Sequence, residues 1–453
     1  MKIKLAIFAV FVFILLLFFS SLTEWESFSV GLFVFFFLEF LQELGNKIVI
    51  FNITVLMAIV GWLIMPAIFY HIYTKDDYLA KLWLRYMWNP SDEYFSFVVP
   101  GTLMMILGFR IPLLKQKYKS NPVAYVDAVK KYLEDKPKVG LILIAVGVVS
   151  GILDFLAPEN LRQVLYLFSH LTYVGVFYVI YSPSKMKRSI SLMVFLLAFG
   201  QAVAGGMFGE FIYMTSLTLI LILLGKNISF NKKLLISLLG IFIIVIIQSV
   251  KAQYREKTWT QGAGADPLYF GELVADRLSQ PEFLLDKDKL FFVSVRMNQG
   301  WLISVTMFNV PERYSFANGE TIWKSVAAAF VPRFLWPDKP EAGGKDNLKR
   351  FWGFEIKTYS MNIGPIGEAY ANFGRVGGII YMFFYGAFFN LMLSIILRLA
   401  KRKPSLILWL PFLFFYAISV ETDLLITMSS LVKASIFTVG IFWGFRSLFR
   451  IHL

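Results

Sequence analysis

Long hydrophobic runs divide this chain into segments that are apolar on every side. Leu141–Ala157 and Leu234–Val250 are two such runs. Helices of this kind are typical of proteins in lipid, because a surface helix of a globular protein keeps one polar face. Since a bilayer core requires about 20 apolar residues per helix, the pattern predicts an all-α polytopic membrane protein with about twelve transmembrane helices. Their predicted positions are 4–21, 27–41, 48–72, 95–113, 139–157, 161–181, 189–205, 208–225, 234–250, 375–397, 405–420 and 424–445.

The hydrophilic stretch between the ninth and tenth predicted spans contains two further apolar segments. Leu290–Val310 includes Arg296, and Ile322–Trp336 includes Arg333. Two re-entrant or interfacial helices, or two full spans, are both compatible with the charges on either side. Backbone outside a helix is tolerated at membrane depth only inside protein or around a cavity. This stretch is therefore predicted to hold a site.

The distribution of charge predicts the orientation of the spans. Segments on one side carry 23 Lys and Arg residues, whereas the short loops on the other side carry four. Because basic loops remain in the cytoplasm, both termini are predicted to be cytoplasmic. The predicted domains are residues 1–250 with helices 1–9, a large exoplasmic loop at residues 251–374, and residues 375–453 with helices 10–12.

Composition supports this class of protein and limits its chemistry. The chain is 57% hydrophobic and only 16% charged, which is too little charge for the surface of a soluble protein of this length. The cytoplasmic loops account for the net charge of +14, so no nucleic-acid partner is predicted. Cysteine is absent, which excludes disulfides and thiol nucleophiles. The three histidines are scattered and lack metal-ligand spacing, so no metal site is predicted.

Three clusters in or beside the exoplasmic loop are candidates for chemistry. The first consists of Lys251, Tyr254 and Arg255, which lie within about one helical turn at the outer end of the ninth span. It predicts either a binding surface or interfacial anchoring by side chains that snorkel to the membrane surface.

The second cluster is the segment Pro332–Pro340, which contains Arg333, Trp336, Asp338 and Lys339. Its three prolines restrict the backbone, so the charges between the aromatic residues are held in place at low entropic cost. Arginine binds phosphate in a bidentate geometry, and lysine adds a point charge. The alternative interpretation is a proline-rich interfacial turn.

The third cluster is Asn362–Arg375, which leads into the tenth span. On a helix that begins near Pro365, the residues Glu368, Asn372 and Arg375 are spaced i, i+4 and i+7 and are predicted to share one face. A helix N-terminus at the outer membrane surface is also an anion site. The alternative is helix packing by small residues with a surface ion pair.

Lys433 lies near the middle of the last predicted span, where a charge is costly and usually faces a cavity or a partner. A buried structural pair and a functional role both remain open. The possible partners are Asp154, Glu210, Glu421 and Asp423.

The second and third clusters together resemble the O-antigen polymerase family, the Wzy-type polymerases of oligosaccharide repeat units. The resemblance lies in Pro332–Pro340 followed by Gly367–Gly374, with the Lys251–Arg255 element before them. The many spans and the single large exoplasmic loop are similar as well.

The resemblance implies a metal-independent membrane glycosyltransferase of the bacterial cytoplasmic membrane that requires no cofactor. Such an enzyme transfers a growing glycan from polyprenyl pyrophosphate, in particular undecaprenyl pyrophosphate, onto a sugar hydroxyl of a new lipid-linked unit. Membrane lipids, a chain-length regulator and a flippase are the implied partners. The candidate residues are Lys251, Arg255, Arg296, Arg333, Lys339 and Arg375 for the pyrophosphate, Glu368 or Asp338 as catalytic base, and Trp336, Tyr370 and Asn372 for the sugars.

One feature departs from that family, and other functions remain open. Members often have a glycine-flanked arginine at the outer end of an earlier span, whereas Gly205–Glu210 contains none. Either another cation replaces it or the substrate is held differently. The alternatives are an O-antigen ligase, which uses the same donor with another acceptor, a transporter or flippase of lipid-linked sugars, and a structural membrane protein. Transport is favoured by Lys433 but disfavoured because no internal repeat is evident.

Overall fold

The structure is a computed structural model that describes residues 2–113, 122–260, 264–356 and 359–453. Part of the segment between the fourth and fifth predicted spans, which the charges predict to be cytoplasmic, therefore lies outside the described residues. Within these ranges the chain forms helices, turns and loops and contains no β-strand.

The helices are numbered in chain order. They are α1 (Lys2–Phe19), α2 (Glu24–Glu43), α3 (Ile50–Ile59), α4 (Met65–His71), α5 (Tyr78–Trp83), α6 (Ser91–Arg110), α7 (Pro122–Leu133), α8 (Val139–Leu156), α9 (Glu159–Ser169), α10 (Leu171–Tyr181), α11 (Lys187–Gly205), α12 (Gly209–Leu223), α13 (Phe230–Arg255), α14 (Pro267–Ser279), α15 (Lys287–Met297), α16 (Gly300–Asn309), α17 (Glu320–Phe330), α18 (Lys345–Trp352), α19 (Gly364–Leu399), α20 (Leu410–Leu413) and α21 (Leu424–Leu448). A π-helical turn (Val60–Ile64) joins α3 to α4, and another (Glu256–Thr260) extends α13.

Among the described residues, six helical segments are long and apolar enough to cross a membrane. Four shorter apolar helices accompany them: Ile3–Phe19, Val139–Asp154, Gly209–Leu223 and Pro404–Leu413. The architecture is therefore that of a helical membrane protein. The six longer segments are Ile50–His71, Leu161–Tyr181, Lys187–Gly205, Phe230–Thr260, Gly364–Leu399 and Leu424–Leu448.

The second and fourth predicted spans correspond to α2 and α6, which are not among the six. Helix α2 has acidic residues at both ends, and Glu39 near its C-terminal end is fully buried. The Arg110 guanidinium at the end of α6 donates a hydrogen bond to the Glu39 carboxylate and lies over the ring of Phe36. Pairing of this kind makes a buried carboxylate tolerable in an apolar environment.

The segment predicted as the eleventh span, 405–420, is not a continuous helix. A 3-10 turn (Pro404–Trp409) leads into the single turn of α20, and turns and loops continue to Asp423. Pro411 lacks an N–H group and disfavours a regular helix around it. Trp409 and Phe414 are fully buried, which agrees with the rule that irregular backbone in a membrane protein lies inside the protein.

The apolar segments of the long hydrophilic stretch fold into short helices. Leu290–Val310 divides into the end of α15 and the whole of α16, separated at Asn298 and Gln299. Helices α16 and α17 contain 10 and 11 residues, so each is about 15 Å long, half of the bilayer core. Neither is long enough to cross a membrane, as expected for re-entrant or interfacial helices.

Helix α19 packs closely against α6 and breaks near its N-terminal end. A Cβ atom on Gly108 of α6 would lie 2.3 Å from the carbonyl oxygen of Phe383, so the small residue permits this crossing. Gly374 interrupts α19 with φ 66° and ψ −164°, a conformation open almost only to glycine. The break divides α19 into a segment that contains Glu368 and Asn372 and a segment that begins at Arg375. Following the predicted orientation, we call them the outer and inner segments.

Candidate functional site

A cavity of about 750 Å³ lies between α17, α18, the proline-rich loop Pro332–Pro340 and the start of α21. Its wall combines charged, amide and aromatic side chains, a composition suited to a hydroxyl-rich ligand with ring faces. Trp336 and Asp338 from the second sequence cluster are part of this wall. The other lining residues are Tyr314, Glu320, Thr321, Lys324, Ser325, Pro340, Glu341, Gly344, Asp346, Asn347, Lys349, Arg350, Asp423 and Leu425.

Asp423 is the buried acid of the cavity wall. Its Oδ1 accepts a hydrogen bond of 2.9 Å from the N–H of Ile426, so it caps the N-terminus of α21. Burial raises the pKa of Asp423 to about 6, and the Asp346 carboxylate acts in the same direction. A carboxylate with this pKa can take up a proton near neutral pH.

Glu368 lies beneath the cavity wall and does not line it. Its side chain is completely buried. One carboxylate oxygen accepts a 2.8 Å hydrogen bond from the amide nitrogen of Asn347, and the other accepts a 2.7 Å bond from the N–H of Leu424. Glu368 thus joins α18, α19 and α21 and fixes two residues next to the cavity. This position is that of a structural support, whereas the sequence predicted a base in contact with substrate.

Asn372 supports the cavity from the same outer segment of α19. Its amide nitrogen donates to the Thr321 hydroxyl at 2.7 Å and to the Glu368 carbonyl oxygen at 2.9 Å. Thr321 in turn lines the cavity. Asn372 is fully buried, so it orients a wall residue from behind the cavity surface.

Arg333 and Lys339 stabilise the loop that carries Trp336 and Asp338. The Lys339 ammonium donates to the carbonyl oxygens of Ala328 and Val331 at 2.9 and 3.0 Å, which caps the C-terminus of α17. The Arg333 guanidinium donates to the Pro337 carbonyl oxygen at 3.0 Å. Burial, and secondarily the charge of Arg333, lower the pKa of Lys339.

Lys251, Arg255 and Arg296 form a second group of cations. Their positive charges act on one another, and Arg296 forms an ion pair of 2.5 Å with Glu421. Glu421 precedes Asp423 by two residues, so the loop before α21 connects this group to the cavity.

Arg255 also contacts the glycine-rich turn in which the sequence lacks an arginine. Its Nε donates to the Gly206 carbonyl oxygen at 2.7 Å, and its guanidinium lies over the Trp259 ring. A cation from another helix therefore occupies this turn.

Arg375 and Tyr370 lie apart from the cavity. Arg375 donates to the Ser96 hydroxyl and to the Glu93 carbonyl oxygen on α6, because the break at Gly374 changes the direction of the helix. It does not share a face with Glu368 and Asn372, as regular helical spacing predicted. Tyr370 is 8% exposed and packs against Phe97.

Sequence reasoning missed the roles of Asp423, Asn347 and Thr321 in the cavity. Asp423 carries a local signal, because an aspartate directly before a long apolar run is a typical helix N-cap. Asn347 and Thr321 lie 21 and 51 residues from their partners on α19, and no local pattern links such distant positions. Among the described residues, no group of three or more His, Asp or Glu side chains is arranged to hold a metal ion.

The fold and the site together define a helical membrane protein with a cavity formed by its longest hydrophilic stretch and the start of α21. Residues 104–398 match the model of a family described as "Domain of unknown function (DUF8712)". This match covers well over half of the chain, so the protein belongs to that family. No curated protein and no solved structure matches the chain.

Proposed function

We propose that this protein is a glycosyltransferase that polymerises oligosaccharide repeat units carried on polyprenyl pyrophosphate. The observation that supports it best is the cavity itself. It combines a buried aspartate of raised pKa with Trp336, and the loop that carries Trp336 also carries Arg333 and Lys339. Glycosyl transfer from a lipid diphosphate requires a base, a surface for sugar rings and positive charge at the leaving group.

In the proposed reaction, Asp423 takes the proton of the acceptor hydroxyl. The hydroxyl oxygen forms a bond to the anomeric carbon of the donor glycan, and the bond from that carbon to the diphosphate oxygen breaks. The diphosphate leaves with the electron pair, and Arg333 and Lys339 stabilise its charge. Glu368 acts as a positioning residue, because it holds the first backbone N–H of α21 beside Asp423.

The proposal includes an orientation and a location. The predicted topology, with both termini in the cytoplasm, supports a cavity that opens at the outer face of a bacterial cytoplasmic membrane. Lipid-linked repeat units that have crossed the membrane are available on that side. The acceptor would be a second lipid-linked unit for a polymerase and the final carrier of the glycan for a ligase.

Deleting the gene and separating the surface polysaccharide on a gel tests the proposal. A ladder that collapses to one repeat unit supports a polymerase. Loss of all glycan from its final carrier indicates a ligase, and accumulation of intermediates on the cytoplasmic leaflet indicates a flippase. An unchanged ladder would contradict all three.

Complementation of the deletion strain with Arg333→Ala extends this test to the cavity loop. This variant should insert into the membrane and fail to restore long chains, because the leaving diphosphate loses a cation. Lys324→Met, which removes a cavity cation that is paired with Glu320 at 2.6 Å, is a matched control and should restore more of the ladder. Normal chain length with Arg333→Ala would remove this arginine from the site.

A further inference from the structure

The start of helix α15 is fixed to the turn that follows α4. The Lys287 ammonium forms an ion pair of 2.6 Å with Asp77, whose side chain is buried. The Lys287 carbonyl oxygen accepts a hydrogen bond of 2.8 Å from the Tyr73 hydroxyl. The Tyr73 ring also packs against the fully buried Phe291 of α15, with 5.5 Å between the ring centroids. Two polar contacts and one aromatic contact therefore hold this end of α15.

The other end of α15 is fixed to the middle of the apolar segment Ile50–His71. The N–H of Gln299, just past the end of the helix, donates to the Gly61 carbonyl oxygen at 3.0 Å. Gly61 belongs to the π-helical turn between α3 and α4 and lies ten residues before His71, which is about 15 Å along a helix. The 11 residues of α15 span about the same length. Because both of its ends are bonded to one part of the protein, α15 is a rigid support.

Arg296 in the last turn of α15 reaches from this support to the loop before α21. Its guanidinium donates a hydrogen bond of 2.5 Å to a carboxylate oxygen of Glu421, and the two side chains form an ion pair. Hydrogen bonds between an arginine and a carboxylate are about twice as strong as those between neutral groups. This ion pair therefore attaches the loop before α21 to α15.

The segment Glu421–Leu424 contains Asp423 and is held from two sides. Among the described residues, two side chains of other helices form hydrogen bonds with this segment. Arg296 of α15 binds the carboxylate of its first residue, and Glu368 of α19 accepts from the N–H of its last residue. Asp423 lies between the two attached residues and lines the cavity. The position of its carboxylate in the cavity therefore depends on both bonds.

We propose that Arg296 is a positioning residue, whose ion pair with Glu421 fixes the Asp423 carboxylate at the cavity wall. This role differs from the contact with the substrate diphosphate that the family resemblance implied for Arg296. The inference rests on the proposed function in naming Asp423 as the base. The attachment of the segment to α15 is independent of that function and can be measured without a substrate.

Hydrogen–deuterium exchange of the purified full-length protein in nanodiscs tests the attachment. Arg296→Gln removes the charge and keeps a polar side chain. Peptides that contain the N–H groups of Leu424 and Ile426 should then exchange faster by about tenfold or more, because the closed state loses a hydrogen bond between charged groups. Lys289→Gln is the matched control. It removes an exposed cation of the same helix whose acidic neighbour, Asp286, lies at the start of that helix, and exchange should be unaltered.

The kinetics of glycan transfer by the same variants test the consequence for Asp423. Arg296→Gln should lower kcat by about tenfold or more, since a reacting group misplaced by about 1 Å can lose about 100-fold in rate. The KM for the lipid-linked donor should stay nearly unchanged. A residue that binds the donor diphosphate would raise this KM instead, so the two roles of Arg296 give different results.

Glu421→Gln removes the same ion pair from the other side and serves as the second variant where Arg296→Gln is not recovered folded by gel filtration. The double variant Arg296→Gln with Glu421→Gln should be no slower than the slower single variant, because both changes break one contact. Losses in kcat that multiply in the double variant would show that Arg296 acts elsewhere and would overturn the inference.

Exchange and kinetics together separate this inference from the proposed function. Unchanged exchange in both single variants, or a raised KM with kcat unaltered, would overturn the inference. Faster exchange in a protein that transfers no glycan would contradict the proposed function only. Transfer at the full rate by Arg296→Gln would overturn the positioning role and leave the polymerase proposal standing.

Discussion

Two buried acids beside the cavity have different environments. The Asp423 carboxylate lines the cavity and caps α21, whereas the Glu368 carboxylate is enclosed and accepts a hydrogen bond at each oxygen. Burial alone therefore does not identify the reacting group. We assign the role of the proposed base to Asp423 because it contacts the cavity. We assign a supporting role to Glu368 because each of its carboxylate oxygens already accepts a hydrogen bond.

The raised pKa of Asp423 predicts the pH dependence of transfer. The ionised carboxylate is the base, and its pKa is about 6. The rate should therefore fall as the pH is lowered from 7 to 5, by about tenfold per unit once the pH is below 6. A cell-free assay with lipid-linked repeat units over this pH range measures the profile.

Asp423→Asn is the matched variant for that profile. Asparagine is as good an N-cap as aspartate, so α21 should be retained while the rate is low and independent of pH. Asp338→Asn, which replaces the exposed aspartate of the same wall, should keep the fall in rate at low pH. If only Asp338→Asn lost this pH dependence, the base would be Asp338.

Glu368→Gln should lower the free energy of unfolding because the glutamine amide nitrogen, a donor, would face another N–H donor. The glutamine oxygen can accept from either Asn347 or the N–H of Leu424, and its amide nitrogen must then face the remaining donor. A buried unsatisfied group costs about 1–3 kcal/mol, so the melting temperature in detergent should fall. Glu282→Gln, at an exposed glutamate, is the control, and equal melting temperatures for both would contradict the buried network.

At the residue scale, the sequence predicts which segments line the cavity better than it predicts the contacts of individual residues. Trp336 and Asp338 were selected from a proline-rich string, and both line the cavity. Arg375 was assigned by regular helical spacing, which a single glycine invalidates. The contacts of Glu368 depend on α18 and α21, which are distant in sequence.

At the scale of single elements, the break in α19 determines which side chains reach the cavity. Gly374 has φ 66° and ψ −164°, and a Cβ atom there would lie 3.3 Å from the Phe316 ring. The outer segment can therefore turn toward α17 and α18 while the inner segment stays packed on α6.

Gly374→Ala should destabilise the protein because alanine rarely adopts this backbone conformation. The expected cost is about 1–3 kcal/mol, measured as a lower melting temperature. Gly440→Ala in α21 is the matched control, since a Cβ atom there meets no atom within 4 Å and alanine favours a helix. Equal stability of the two variants would show that the break is not needed.

Hydrophobic runs predict helices well where the backbone is regular. The runs at 48–72, 189–205 and 424–445 correspond to long apolar segments in the structure. The run at 405–420 is equally apolar but folds as short turns. A hydrophobic run is favoured both in lipid and in a protein interior. Hydropathy therefore cannot distinguish a membrane-spanning helix from buried short turns.

At the scale of the whole molecule, the absence of cysteine makes the orientation directly testable. A single introduced thiol is unique in this chain. Ala265→Cys, in an exposed loop, should react with a membrane-impermeant maleimide in spheroplasts, because the loop is predicted to be exoplasmic. Met186→Cys, in the exposed turn before α11, should react only after lysis.

The opposite labelling pattern would place the cavity in the cytoplasm and contradict glycan transfer on the outer face. The helical membrane architecture does not depend on that result. It follows from the length and apolar character of the six candidate segments alone.

The bond between Glu368 and the backbone of Leu424 also bears on where a functional unit can be cut. The family match ends at residue 398, yet among the described residues the donor to one oxygen of this carboxylate lies beyond that point, at Leu424. A truncated protein that follows the matched range would leave a buried acid without its donor and remove Asp423 altogether. Chimaeras between relatives should therefore exchange the outer segment of α19 and the C-terminal helix together.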